Sequence, residues 1–266
     1  MHRFLPNYVI RMWMTDKENG LAATLYGGSK VRAKAGPAGD VVEIHEETDY
    51  PFGEEIHFTI QSKKAVSFPL ALRIPGWCRN PSLFLNEKPL PMPPVDSGFV
   101  RLSRRFSPGD KITLVLPMKI ILSYWPANGI GIEHGPLVYS LPIKEDWSPV
   151  VEAKYSTQEF PDWDANPASP WNYGIAVDDT QLLSKIQVET GAMTSDPWVE
   201  PPVSLSVPFR KIPDWLLRSD PKDPKIKLTP SLPEIDGDSI KTQTEDVSLS
   251  PYGSTHLRLT IFPETT

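Results

Sequence analysis

Cysteine is almost absent: Cys78 is the only one in 266 residues. A single thiol excludes an intrachain disulfide framework and every multi-cysteine zinc site within the chain. Histidine is scarce as well. There are five, and no two stand at the close spacing of a metal-ligand pair. Positive charge is in the minority, with 27 Lys and Arg against 33 Asp and Glu, a formal net charge of −6. No basic excess exists to displace counterions from phosphates, so a nucleic-acid partner is not expected. No apolar run reaches the roughly eighteen residues of a bilayer span, so no membrane partner is expected. The start, Met-His-Arg-Phe-Leu-Pro, lacks the charged-then-apolar pattern of an export signal, and it leaves the compartment undefined.

Proline, by contrast, is abundant, with 30 residues, about twice the usual ~5%. At that density long helices are interrupted, while strand edges and loops are tolerated. A helical bundle or a helix-rich doubly wound fold is therefore excluded. The first segment is the exception. Phe4, Leu5, Tyr8, Val9, Met12 and Trp13 recur at three- and four-residue spacing, which predicts an amphipathic helix ending near Asp16–Gly20. From Gly20 onward the period becomes two. Glu55–Ser62 alternates cleanly, as do Phe68–Ile74 and Ile112–Met118, with Gly/Pro/Asp turns between. Further strands are expected at 130–133, 136–141, 175–177, 183–189, 203–207 and 255–262. The pattern predicts a mostly β fold: two antiparallel β-sandwich-like units preceded by one short N-terminal helix. The expected divisions are 1–19 for the helix, 20–125 for the first unit and 126–266 for the second. A long Pro/Asp/Lys-rich loop is expected at about 218–244.

Few residues invite catalysis. Cys78 sits just past a strand end without a neighbouring histidine, so a small buried filler is expected rather than a nucleophile. The carboxylate pairs Glu46-Glu47, Glu54-Glu55 and Asp178-Asp179 alternate across their strands. They read as solvated strand ends, not as an acid and base flanking a bond. Gly27-Gly28-Ser29-Lys30 lacks both the spacing and the following helix of a phosphate loop. Trp163, Trp171, Tyr173 and Trp198 fall in expected loops. Aromatic planes there either stack on the apolar face of a sugar or plug gaps between sheets. Trp163, Trp171 and Tyr173 are the carbohydrate-binding candidates. No catalytic residue and no metal ligand is assigned.

Several motifs in order resemble glycoside hydrolase family 127, the β-L-arabinofuranosidase-like family. They are residues Gly20–Gly27, Thr48–Phe52, Leu72–Trp77, Gly109-Asp110, Gly135–Tyr139, Ser169–Gly174, Pro251–Thr255 and Leu257–Thr260. Departures are small: Asn86-Glu87 stands where Asn-Gly is usual, and His134 where a basic residue is common. The resemblance implies a C-terminal β-sandwich region of an enzyme whose (α/α)₆ barrel lies elsewhere. It also implies that the family's zinc, held by a glutamate and three cysteines, lies in that barrel with the thiolate nucleophile and the acid/base glutamate. No cofactor is then expected in this chain, which is predicted to be a fragment inactive by itself. Its implied partners are the catalytic barrel, in cis or in trans, and an arabinose-containing glycan. An independent carbohydrate-binding module is the alternative reading.

Overall fold

The computed structural model describes residues 4–151, 154–222, 227–233, 235 and 242–265. The chain divides into two compact units, Met1–Lys119 and Ile120–Thr266.

The first unit opens with α1 (Phe4–Val9), followed by β1 (Trp13–Thr15) and β2 (Leu21–Ala23). The predicted helix is thus cut short, and Trp13 leaves it for a strand. Two interactions favour that outcome. The Trp13 ring packs edge-on against Phe58, with centroids 5.9 Å apart at 87°. Its Nε1 donates to Ser29 Oγ at 2.9 Å. A six-residue helix with no buried residue has little to set against them. Gly20 is a turn residue rather than a helix cap. The Asp16 carboxylate accepts from the Glu18 and Gly20 N–H groups at 2.8 and 2.7 Å, folding β1 back on β2. A Cβ at Gly20 would sit 2.6 Å from that carboxylate.

Then come β3 (Ser29–Ala35), β4 (Asp40–Thr48), β5 (Glu55–Ser62), β6 (Val66–Arg73), β7 (Ser82–Leu85), β8 (Lys88–Leu90), β9 (Phe99–Phe106) and β10 (Lys111–Val115). They form a four-stranded sheet, β1-β2-β6-β9, and a six-stranded sheet, β3-β4-β5-β10-β7-β8. One core lies between them. Ile56, Phe58 and Ile60 enter it from one sheet, and Phe68, Leu70 and Leu72 from the other. This is the alternation of the sequence realised as a sandwich, one face of each strand buried and one wet. Neighbouring strands are antiparallel with one exception: β2 runs parallel to β6, Leu21 opposite Leu70 and Ala23 opposite Leu72.

The second unit contains β11 (Ile120–Trp125), β12 (Gly129–His134), β13 (Leu137–Pro142), β14 (Glu145–Val150), β15 (Asp162–Pro167), β16 (Tyr173–Ile175), α2 (Asp179–Lys185), β17 (Gln187–Thr190), β18 (Val203–Lys211), β19 (Arg218–Ser219), β20 (Lys227–Leu228), β21 (Glu245–Pro251), β22 (Arg258–Leu259) and β23 (Phe262–Pro263). Its main sheet runs β11-β12-β13-β21-β18-β16, with β17 on β18, β22 on β13 and β23 on β12. β14 and β15 form a separate antiparallel hairpin, as do β19 and β20. Part of the segment expected as a loop at 218–244 is therefore that second hairpin. Residues 223–226, 234 and 236–241 of the segment lie outside the described residues.

The strand expected at 183–189 begins as a helix. Asp178 caps α2, its carboxylate accepting from the Gln181 N–H at 3.0 Å, and Leu182 is fully buried. An Asp with a free backbone donor three residues on starts a helix better than a strand.

The loop between β7 and β8 is two residues long, and both take the left-handed conformation, Asn86 at φ 50° and Glu87 at φ 67°. Such a turn favours Asn followed by Gly, because only glycine escapes the Cβ clash there. Replacing Glu87 with Gly should stabilise the protein by roughly 1 kcal/mol. Urea unfolding of the two proteins side by side checks this, and a loss of stability in the glycine variant would refute the strain argument.

Candidate functional site

In the first unit, Val42, Ile44 and Glu46 share the buried side of β4. A carboxyl group is thus carried into the sandwich at 2% exposure. It is not left bare. The Gly27 N–H donates to one oxygen at 3.0 Å, and the Ser29 hydroxyl to the other at 2.7 Å. Ser29 in turn receives the Trp13 indole N–H, so a chain of donors runs from β1 to β4. Burial pushes the Glu46 carboxyl up to about 7, and the Ser29, Gly27 and Trp13 donors oppose the shift without cancelling it. Phenols surround the group. Tyr26 donates to the Arg73 carbonyl at 2.5 Å, and Tyr8 of α1 donates to the Tyr26 carbonyl at 2.8 Å. Burial raises Tyr26 and Tyr8, and the Glu46 charge adds to both. Tyr50 stands edge-on to Tyr26, with centroids 5.9 Å apart at 79°. Ser29 has a carboxylate but no histidine beside it, and the group is closed to solvent. The arrangement can hold or release one proton near neutral pH, and it fastens the N-terminal strands to the sheet.

Glu46 is thus not the solvated strand end that its pairing with Glu47 predicts, but a buried carboxyl on the core side of β4. Its position two residues beyond Ile44 on an alternating strand was the available signal. Nearby, burial would raise Asp16, but the Gly20 and Glu18 N–H groups and the Arg101 guanidinium hold it below the ordinary range. Arg101 reaches it at 2.7 Å. Cys78 is buried, as expected of a filler, and burial raises its thiol. Among the described residues no group of three His, Cys, Asp or Glu side chains could hold a metal ion.

In the second unit a groove of about 210 Å³ opens between the β14–β15 hairpin and β22. Ile143, Leu257 and Leu259 form apolar walls, Trp171 forms one side, and Asp164, Asn166, Arg258 and Lys227 of β20 bring polar groups to it. Trp171 is half-buried and braced by Trp215, with ring centroids 5.0 Å apart at 63°. Trp215 is itself fixed, buried and donating Nε1 to the Ser231 carbonyl at 3.0 Å. Arg258 lies 3.6 Å from the Tyr252 ring centre, and its Nη1 donates to the Thr255 and His256 carbonyls.

The three aromatic candidates are therefore separated. Trp171 lines the groove. Trp163 lies on β15, opposite Pro149, 55% exposed and outside the groove lining. Tyr173 lies on β16, not in a loop, and is only 7% exposed. Its ring meets Phe209 edge-on at 6.2 Å and has Lys211 over its face at 5.6 Å. That leaves no open face for stacking. Asp164, Asn166 and Arg258 were not foreseen, because residues so far apart in sequence meet only through the fold.

The arrangement of the first unit defines a class, a two-sheet β-sandwich domain whose polar centre is closed. Its sequence is more particular: residues 20–118 match the family model described as "Beta-L-arabinofuranosidase, GH127 middle domain". Residues 20–118 are thus similar to a GH127 middle domain, and no helical barrel is present among the described residues. In fold, the chain is similar to a GH127 β-L-arabinofuranosidase from Geobacillus stearothermophilus T6, with a TM-score of 0.63 and 20% identity over 96% of this chain and 35% of that one. A structure described as a glycoside hydrolase gives 0.59 and 22%, over 94% of this chain and 36% of that one. A further GH127 β-arabinofuranosidase gives 0.58 and 16%, over 94% and 35%. The chain spans about a third of the length of these structures. No curated protein matches it in sequence. No helix among the described residues is long and apolar enough to cross a membrane.

A carboxyl raised on folding binds its proton more tightly in the native state than in the unfolded one. Its contribution is full below the unfolded value near 4.5 and is lost as pH rises through about 7. Native stability should therefore fall by up to about 3 kcal/mol from this group between those limits. Glu46→Gln keeps the acceptor for Ser29 but cannot ionise. Urea midpoints of both proteins from pH 4.5 to 8 should diverge, with the variant gaining as pH rises. A constant difference across that range would refute the proton linkage.

Proposed function

We propose that this chain is the accessory β region of a β-L-arabinofuranosidase-like glycoside hydrolase, supporting a catalytic barrel in cis or in trans. Its loops would also help to shape the cleft for an arabinose-containing glycan. The observation that carries this reading is the match of residues 20–118 to the GH127 middle domain. The shape of the N-terminal segment agrees with it. Phe4, Leu5, Val9 and Ile10 of and beside α1 are each more than 60% exposed, and α1 buries no residue. A soluble surface seldom leaves so many large apolar side chains together unless another surface covers them. Trp13, which the sequence pattern places on the same face, is instead committed to Ser29 and Phe58 within the unit.

The division of labour follows from the side chains. A barrel would supply the reacting groups, including the zinc-bound thiolate that the family resemblance implies. This chain would supply a stiff support, because its own ionisable centre is sealed within a sandwich core. The alternative, an independent carbohydrate-binding module, is favoured by one observation, the Trp171 groove of the second unit.

Two measurements test the support role. The DNA upstream of codon 1 should encode an in-frame Cys-Cys pair a few codons away, with a glutamate and a third cysteine further up. A stop codon without such a pair would favour the free-standing module. The chain alone should not hydrolyse 4-nitrophenyl β-L-arabinofuranoside above a blank. Turnover that survives repurification and is insensitive to chelator would overturn the accessory reading.

A further inference from the structure

We propose that the groove of the second unit is a binding site for a single neutral sugar ring, seated against Trp171. The inference rests on the carbohydrate-binding alternative and is independent of the support role. Size is the first argument. At about 210 Å³ the groove is smaller than the ~300–1,000 Å³ clefts that take drug-sized ligands, and it suits one five- or six-membered ring with its hydroxyls.

The lining is the second argument. One side is apolar and aromatic, from Trp171, Leu257 and Leu259, while Asp164, Asn166, Arg258 and Lys227, whose Nζ also donates to Ser219 Oγ at 2.8 Å, bring acceptors and donors to the rest. A sugar ring has that same two-sided character, a C–H face that stacks on an aromatic plane and an edge of hydroxyls. A carboxylate accepts from a hydroxyl, a guanidinium donates to one, and an amide does both, so the set reads a polyhydroxylated edge rather than a single charge.

Availability is the third argument. The side chains of Asp164 and Asn166 make no hydrogen bond to another described residue. Both lie on the face of β15 opposite to Trp163, since the hairpin pairs Trp163 with Pro149 and Asp164 with Ser148. The receiving groups are also held in place before any ligand arrives. Trp171 is wedged by the buried Trp215, and Asn172 beside it donates its side-chain amide to the Ile212 carbonyl at 2.7 Å. Arg258 is fixed by two carbonyls through Nη1, leaving Nε and Nη2 to donate. Prearranged groups lose less conformational freedom on binding, so even a small contact area can give measurable affinity.

The test is a titration of the full chain with methyl glycosides of arabinose, xylose, glucose and galactose, read by tryptophan fluorescence and by protein-observed NMR. Sorbitol is the control, because it offers the hydroxyls without a flat ring face. At least one glycoside should bind with a dissociation constant on the order of millimolar, as few contacts allow, while sorbitol does not. Trp171→Ala should weaken that binding by roughly tenfold or more, the equivalent of one good stacking contact. Asp164→Asn, at an exposed position that leaves the fold intact, should weaken it several-fold. Trp163→Ala should leave it unchanged. Loss on Trp163→Ala alone would move the site to the other face of the hairpin: the module reading would survive and this groove would not. Equal binding of sorbitol, or indifference to both Trp171→Ala and Asp164→Asn, would overturn the groove. Binding of no glycoside would overturn the groove and the module reading together, leaving the support role untouched.

Discussion

The first unit depends on one buried carboxyl group. Glu46 occupies a core-facing position where an aliphatic residue would have been cheaper to bury, and it is tolerated because Gly27 and Ser29 donate to it. Those donors lie on the segment that crosses from β2 to β3, the two strands by which the chain leaves one sheet and enters the other. The same bonds that satisfy the carboxyl therefore set the crossing. Through Ser29 they also reach Trp13, and through Tyr26 they reach Tyr8 and Arg73. Hydrophobic packing supplies most of the stability of such a sandwich, but it has no direction. The polar chain supplies direction, fixing which segment crosses and where it lands.

The second unit solves a different problem. Several of its connections are long and proline-rich, and two of them carry small hairpins, β14–β15 and β19–β20. β14–β15 is one such excursion, and the sheet partner β22 is another short piece added beside β13. Between them they leave the groove. Its walls come from pieces that bury little on their own, and the Trp171–Trp215 pair gives the site its rigidity. Both units bury aromatic residues, Phe209 and Phe262 in the second as Phe58 in the first, but their use differs at one place. In the first, Tyr26, Tyr50 and Phe58 are consumed by packing. In the second, Trp171 retains an accessible side.

Much of the fold could be read from residue order, because alternation is a direct consequence of strand geometry. The range Glu55–Ser62 emerges unchanged, with Ile56, Phe58 and Ile60 inward as their parity requires. Where the reading failed, two physical signals competed. The spacing of Met12 and Trp13 suits a helix face, yet one hydrogen bond and one ring contact draw Trp13 into a strand. Asp178-Asp179 looked like a solvated pair, while the former was capping a helix. Glu46 was hidden by its chemistry, since a carboxylate reads as exposed unless its parity is followed past Ile44. The site was less legible than the fold. Trp171 was visible as a loop aromatic and Tyr173 was indistinguishable from it, because burial of a ring is decided by strands far away in sequence. Asp164, Asn166 and Arg258 carry no local pattern at all.

The parallel pairing of β2 with β6 has a consequence for how the chain is assembled. β6 and β9 form an eight-residue antiparallel ladder on one side, while the other side of β6 is covered by only three residues of β2, which arrive from some fifty positions earlier in the chain. The β6–β9 ladder can form without β2, but β6 would then be a bare sheet edge carrying Phe68, Leu70 and Leu72. A bare edge of that kind recruits other strands, including those of neighbouring molecules. The short N-terminal strands are therefore a cover as well as a structural element. Whatever holds residues 13–23 in place, from the Asp16 turn to the Glu46 chain of donors, also keeps one copy of the protein from zipping onto the next.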